Sequence, residues 1–183
     1  GNGGFVINGE TELFGGSVGS FVTVSSAGDV NGDGLDDLII GNSQVGRSYL
    51  VFGKADGTAV NLSEIASGVG GFAINGAASS VGDGAGDVNG DGFDDLTVSS
   101  YVIFGRDFTG SVTQQGSSGD DFLSGTSATD VMVAGQGNDT LVGKGGADIL
   151  YAGAGDDIVA ISDLNFNRIK AGNGTDTLRL DGN

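Results

Sequence analysis

Beginning at Asp121, an aspartate stands at every ninth position: Asp121, Asp130, Asp139, Asp148 and Asp157. Two places after each comes an apolar residue, in order Leu123, Met132, Leu141, Leu150 and Val159. The register matches the template G-G-x-G-x-D-x-U-x, in which each repeat is a glycine-rich turn and a three-residue strand of a parallel β-roll. The U side chain points into such a roll and the aspartate stays in the turn. Successive turns alternate sides, so aspartates two repeats apart come together: Asp121 with Asp139, Asp130 with Asp148, and Asp139 with Asp157. Ala128, Ala134 and Ala152 replace template glycines and Lys144 enters the fourth repeat, which makes Asp130 with Asp148 the weakest pair. After the interruption "ISDLNFNRIK" the register returns at Asp176 and Leu178, where the aspartate is expected to stand apart from its neighbours.

A second, longer repeat fills the rest of the chain. "GGFVINGE" at Gly3 returns as "GGFAINGA" at Gly70, "GDVNGDGLDDL" at Gly28 as "GDVNGDGFDDL" at Gly86, and "YLVFGK" at Tyr49 as "YVIFGR" at Tyr101. Each block reads as a short strand of aromatic and β-branched residues bounded by Gly, Asn or Asp. The second copy has lost loops. "GNSQVGRS", Gly41 to Ser48, joins two strands in the first copy, where the second keeps only Ser99 and Ser100. Asn61 is placed to cap a single helical turn in "NLSEIA".

Thirty-eight glycines with no proline mark glycine as positional, since flexible linkers usually carry both. Seven Lys and Arg against 24 Asp and Glu give a net charge of −17, which argues against nucleic acid and for a cation as partner. Histidine and cysteine are absent, so imidazole and thiol chemistry, disulfides and ordinary zinc sites are excluded together. Oxygen ligands remain. No apolar run reaches membrane-spanning length, and the N-terminus lacks the regions of a signal peptide.

In the first acidic block Asp29, Asn31 and Asp33 offer oxygen side chains at alternate positions of a loop, with glycines between them to let the chain turn. Asp37 and the Leu35 carbonyl complete a shell of the size calcium prefers. The second block offers Asp87, Asn89, Asp91, Phe93 and Asp95 in the same way. An EF-hand opens alike but needs a glutamate at its twelfth position, where this chain has Ile40 and Val98. Turns that merely cap strands are the plainer alternative, and two copies of one ligand ladder argue against it. For the nine-residue repeats, ions are expected between aspartates two repeats apart.

"GGSVG", Gly15 to Gly19, fits the G-x-S-x-G nucleophile pattern, but without histidine Ser17 has no usual base. Asp36 and Asp37 are adjacent, so on a strand they face opposite sides and cannot act as a glycosidase pair. The chain is read as non-catalytic.

The long repeat resembles the FG-GAP repeat of integrin α-subunit β-propellers: Phe52-Gly53 and Phe104-Gly105 supply the "FG", and the acidic blocks resemble its calcium loop. The nine-residue repeat is similar to the RTX repeat of type I secreted bacterial proteins. The resemblance implies an all-β fold, with two FG-GAP blade-like units over 1–115 and a calcium-binding parallel β-roll over 116–183. It also implies passage through a secretion channel without calcium and folding outside the cell. The function expected is a calcium-binding structural or adhesion segment of a surface protein. Its partners are calcium and, beyond it, self-association through open strand edges or a cell-surface glycan or protein. The alternative is an accessory module of a secreted enzyme.

Overall fold

The structure is a computed structural model and describes residues 4–9, 22–42, 46–76 and 82–181. These fall into two compact units, one drawn from 1–30, 35–86 and 95–103, the other from 31–34, 87–94 and 104–183. Almost all of the regular structure is strand. Ser17 and its "GGSVG", residues 43–45 of the first-copy loop, and both ends of the Gly3 block lie outside the described residues.

The first unit contains β1 (Ile7–Asn8), β2 (Val22–Gly28), β3 (Asp37–Asn42), β4 (Arg47–Val51), β5 (Val60–Asn61), the helix α1 (Leu62–Ala66), β6 (Gly71–Asn75), β7 (Asp83–Gly86), β8 (Asp95–Val98) and β9 (Tyr101–Ile103). Strands β2, β3, β4 and β6 form an antiparallel meander in that order, the four-stranded pattern of a propeller blade. Strands β7, β8 and β9 repeat it with three.

The two sheets match residue for residue. Leu38 faces Val51 and Ser26 in the first, as Leu96 faces Ile103 and Gly84 in the second. Both break register at the same place, between Ser26 and Gly28 and between Gly84 and Gly86. Between β8 and β9 the chain turns on Ser99 and Ser100, with Ser99 in the left-handed region at φ 57°.

Alternation along β3 and β4 puts Ile40, Tyr49 and Val51 on one face, where they pack with Leu62 and Ile65 of α1. The helix forms where expected, with Asn61 as its N-cap residue, but the Asn61 side chain makes no capping bond. It accepts instead from Asn8 Nδ2 and donates to Glu64 Oε2, tying the small parallel pair of β1 and β5 to the helix.

The second unit is a parallel β-solenoid of about four turns. Its strands are β10 (Gln114–Gln115), β11 (Phe122–Ser124), β12 (Val131–Gln136), β13 (Thr140–Val142), β14 (Asp148–Ala154), β15 (Ile158–Ile161), β16 (Phe166–Asn173) and β17 (Thr177–Leu180). Even-numbered strands stack into one parallel sheet and odd-numbered strands into the other. Residues pair at a spacing of 18, as Thr140 with Ile158, until the interruption adds one residue and Ile158 pairs with Thr177.

All five residues expected inside the roll are there: Leu123, Met132, Leu141, Leu150 and Val159 form its core with Ala134, Ala152 and Ile161. The two alanines stand where the template has glycine, and each fills the interior with a methyl group. Val131, Val133, Ile149 and Tyr151 point the other way from the even-numbered sheet and are also buried, in a cluster with Phe93. Phe93 comes from 87–94, the tip of the second acidic loop, which belongs to this unit. The tip is fixed by the Gln136 amide donating to the Asn89 carbonyl (2.7 Å) and by an ion pair of Lys170 with Asp94.

The coils approach closely at a column of glycines, Gly135, Gly153 and Gly172, all at positive φ. A Cβ on Gly153 would overlap the Gly135 carbonyl oxygen. Gly153→Ala should therefore cost about 2 kcal/mol or more, from backbone strain and coil separation together. Gly119→Ala, whose Cβ would meet only Ser117 Oγ at 4.0 Å, should be nearly neutral. Denaturant unfolding followed by circular dichroism compares the two. Equal losses would remove the close approach as the reason for glycine.

Candidate metal centre

Parallel stacking at 18 residues per coil brings the aspartates into two columns, one on each edge of the roll. Every expected pair is joined by a backbone-to-carboxylate bond: Asp121 N–H donates to Asp139 Oδ1 (2.7 Å), Asp130 N–H to Asp148 Oδ1 (2.9 Å), and Asp139 N–H to Asp157 Oδ1 (2.7 Å). The first column continues, with Asp157 N–H donating to Asp176 Oδ1 (3.1 Å). Asp176 therefore does not stand apart. The single inserted residue is absorbed as an irregularity between Asp148 and Ile149 in the pairing with β16, and the column regains its register.

What the second carboxylate oxygen does separates these aspartates. Asp121 Oδ2 accepts from the Ser117 N–H and hydroxyl at 2.6 and 2.9 Å, and Asp130 Oδ2 accepts from the same groups of Thr126 at 2.7 and 3.0 Å. Four residues before Asp139 and Asp157 stand Gly135 and Gly153, which carry no hydroxyl. Oδ2 of each is buried without a hydrogen-bond partner, on residues only 1% exposed.

A buried carboxylate oxygen left unpaired is costly, because desolvation of the charge is not repaid. Burial pushes the Asp139, Asp148 and Asp157 carboxyls above the usual carboxylate range, and nearby aspartates push the same way, against the N–H bond each accepts. These are the marks of a seat for a hard cation. Carboxylates and turn carbonyls are the oxygen donors calcium takes, roughly six to eight at a time. Asp139 and Asp157 are the residues placed to hold it. Among the described residues no three acidic side chains converge on one point, so main-chain oxygens would have to complete the shell.

A second column runs beside the first. Asp120 Oδ1 accepts from Asn138 N–H, Asn138 Oδ1 from Asp156 N–H, and Asp156 Oδ1 from Thr175 N–H, each at 2.8 Å. It staples each coil to the next in the opposite sense. The other edge has Thr129 and Ala147 at the corresponding places.

The acidic loops are organised differently. In the first unit Asp29 and Asp37 are buried, and Asp37 accepts from Val30 N–H (2.9 Å) and Gly53 N–H (2.8 Å), bracing the start of its loop to the "FG" of the repeat. Asp95 is likewise buried there, and Leu35 is half-buried. Asn31 and Asp33 lie in the second unit, bonded to each other through Asn31 Nδ2 and Asp33 Oδ2 at 2.9 Å. In the second loop Asp87 accepts from the N–H groups of Gly90 (2.7 Å) and Gly92 (2.8 Å), and Asp91 from Phe93 N–H (3.0 Å) and Asn89 Nδ2 (2.8 Å). These bonds preform both loops.

Comparison with known families agrees with this geometry. The model of the RTX calcium-binding nonapeptide repeat, four copies long, matches residues 115–141 and again 133–160, and that of the FG-GAP repeat matches 21–60. No curated protein and no solved structure matches the chain. The chain is a calcium-binding repeat protein that carries an FG-GAP repeat followed by RTX calcium-binding nonapeptide repeats.

Two outcomes follow. Asp157→Asn should raise the calcium concentration needed for folding on the order of tenfold, about 1.4 kcal/mol, while Asp121→Asn should shift it much less because Ser117 already serves its carboxylate. A calcium titration followed by circular dichroism measures both; an equal effect of the two would contradict the assignment. The second concerns protons. Asp139, Asp148 and Asp157 bind their protons more tightly folded than unfolded, so without calcium the roll loses stability as pH rises through the window above the ordinary carboxylate pKa. In chelator its strand circular dichroism should grow as pH falls from about 7 towards about 5, and in calcium this gain should shrink or reverse as protons displace the ion.

Proposed function

We propose that the chain is an extracellular, calcium-stabilised scaffold of a bacterial surface protein, with a structural or adhesive role. The observation that carries this reading is the pair of buried, unpartnered oxygens on Asp139 and Asp157 within a column of carboxylates. A bound calcium ion supplies the charge and coordination that these groups lose on leaving water. The chain's residues do the rest: glycine turns bring the coils together, N–H groups hold one oxygen of each carboxylate, and the apolar interior fixes the spacing.

Charge sets where this happens. At −17 the uncompensated chain resists collapse, so binding energy becomes folding energy. Extracellular calcium modules bind at on the order of 10⁻⁴ to 10⁻³ M, which leaves them empty inside a cell and filled outside it. Export of an unfolded chain by type I secretion fits that difference. No helix among the described residues is long and apolar enough to cross a membrane. In this reading Asp29, Asn31, Asp33, Leu35 and Asp37, and Asp87, Asn89, Asp91, Phe93 and Asp95, are further calcium ligands. The chain acts without catalysis, and its macromolecular partner is another copy of itself, through open strand edges.

A calcium titration with magnesium as control tests the reading. Strand circular dichroism and a melting transition should appear between about 10⁻⁴ and 10⁻³ M calcium and not with magnesium. A chain equally folded and heat-resistant in excess chelator at neutral pH would overturn it.

A further inference from the structure

We infer that the free edge of β9 is the seat of residues 4–8 from a second copy of this chain, laid down as β6 is laid on β4. The inference rests on the reading that the chain associates through open edges, and it names the edge and its occupant.

The two sheets of the first unit are equivalent, so β9 shows what β4 would be without its neighbour. Tyr49 and Leu50 of β4 are fully buried, whereas their counterparts Tyr101 and Val102 are 71% and 49% exposed. On β4 the covering strand is β6, from the block "GGFAIN", with Tyr49 opposite Ala73, Leu50 opposite Phe72 and Val51 opposite Gly71. Among the described residues no strand pairs with β9 on the side away from β8. An uncovered apolar edge of this kind invites another strand.

Among the described residues one other strand is of the required type. "GGFVIN" at Gly3 differs from "GGFAIN" by a single methyl-bearing side chain, Val6 for Ala73. Its glycine is a signature without a local cause. A Cβ on Gly71 would overlap the Leu50 carbonyl oxygen, which is why that strand needs glycine; Gly4 keeps a positive φ of 101° yet has nothing within 4 Å of its Cβ position. The partner that explains Gly71 is missing at Gly4, and the Val6 side chain is 63% exposed.

The hydrogen-bonding edges agree. In β6 the Gly70 carbonyl accepts from Phe52 N–H (2.9 Å), so alternation places Ala73 in the set facing the opposite edge. Val6 is the equivalent of Ala73, and its carbonyl accepts from Val60 N–H of β5 (2.8 Å). Residues 4–8 thus use in their own chain the edge that β6 leaves unused against β4. Among the described residues they keep open the edge that β6 gives to β4, and they need not leave β5 to dock. The register puts Val6 opposite Tyr101 and Phe5 opposite Val102. Because the two surfaces differ, the contact is head-to-tail and repeats from copy to copy into chains or rings.

The sequence has no cysteine, so Val6→Cys in one preparation and Tyr101→Cys in another, mixed in millimolar calcium and oxidised, report this contact alone. A disulfide-linked heterodimer is expected. In sedimentation velocity the unaltered chain should form oligomers that grow with concentration. Val102→Lys, or an excess of a peptide of residues 3–10, should return it to monomer with its calcium-induced circular dichroism unchanged. A chain that folds in calcium but stays monomeric and uncrosslinked overturns the inference and leaves the calcium reading intact. So do oligomers that Val102→Lys and the peptide do not alter. The same crosslink and oligomers in chelator would uphold the strand contact while removing calcium from it.

Discussion

In the first column of the roll the carboxylates of Asp139, Asp157 and Asp176 each hang from the backbone of the coil before. That single bond, from an N–H to an oxygen 18 or 19 residues along, fixes where the aspartate sits and so where its other oxygen must point. The protein accepts a buried charge in exchange for a defined stack. Glycine, acid and apolar residue then follow from one requirement, that coils stack at strand spacing while their charges are met from outside the chain.

The two edges of the roll are chemically unlike. One carries glycine before Asp139, Asp157 and Asp176 together with the second column of Asp120, Asn138 and Asp156. The other carries Thr126 and Lys144 before Asp130 and Asp148, and at Asp130 the Thr126 hydroxyl takes the oxygen that an ion would otherwise take. A motif that counts aspartates treats these edges as equals. The residue four places earlier separates the aspartates themselves, since Ser117 serves Asp121 on the same edge where glycine precedes Asp139 and Asp157.

Much of this was legible in the sequence because the roll is periodic: the register placed five core residues and three aspartate pairs without any view of tertiary structure. What escaped it was non-periodic. Asp176 regained its column because a sheet irregularity absorbed one residue, which spacing alone cannot foresee. Asn61 lay at the start of its helix but spent its side chain on Asn8 and Glu64. The burial of Val131, Val133, Ile149 and Tyr151 on the far face of the sheet depends on Phe93, a residue distant in sequence. The signal was present, since "VMV" and "ILY" are unbroken apolar runs where a half-exposed strand would alternate.

The hydroxyls of Ser117 and Thr126 make the roll's need for ions uneven along its length. They serve their own carboxylates from within the chain, whereas Oδ2 of Asp139 and Oδ2 of Asp157 have no such donor. A scarce ion is therefore worth most to the middle coils, and the beginning of the roll is its least thirsty part.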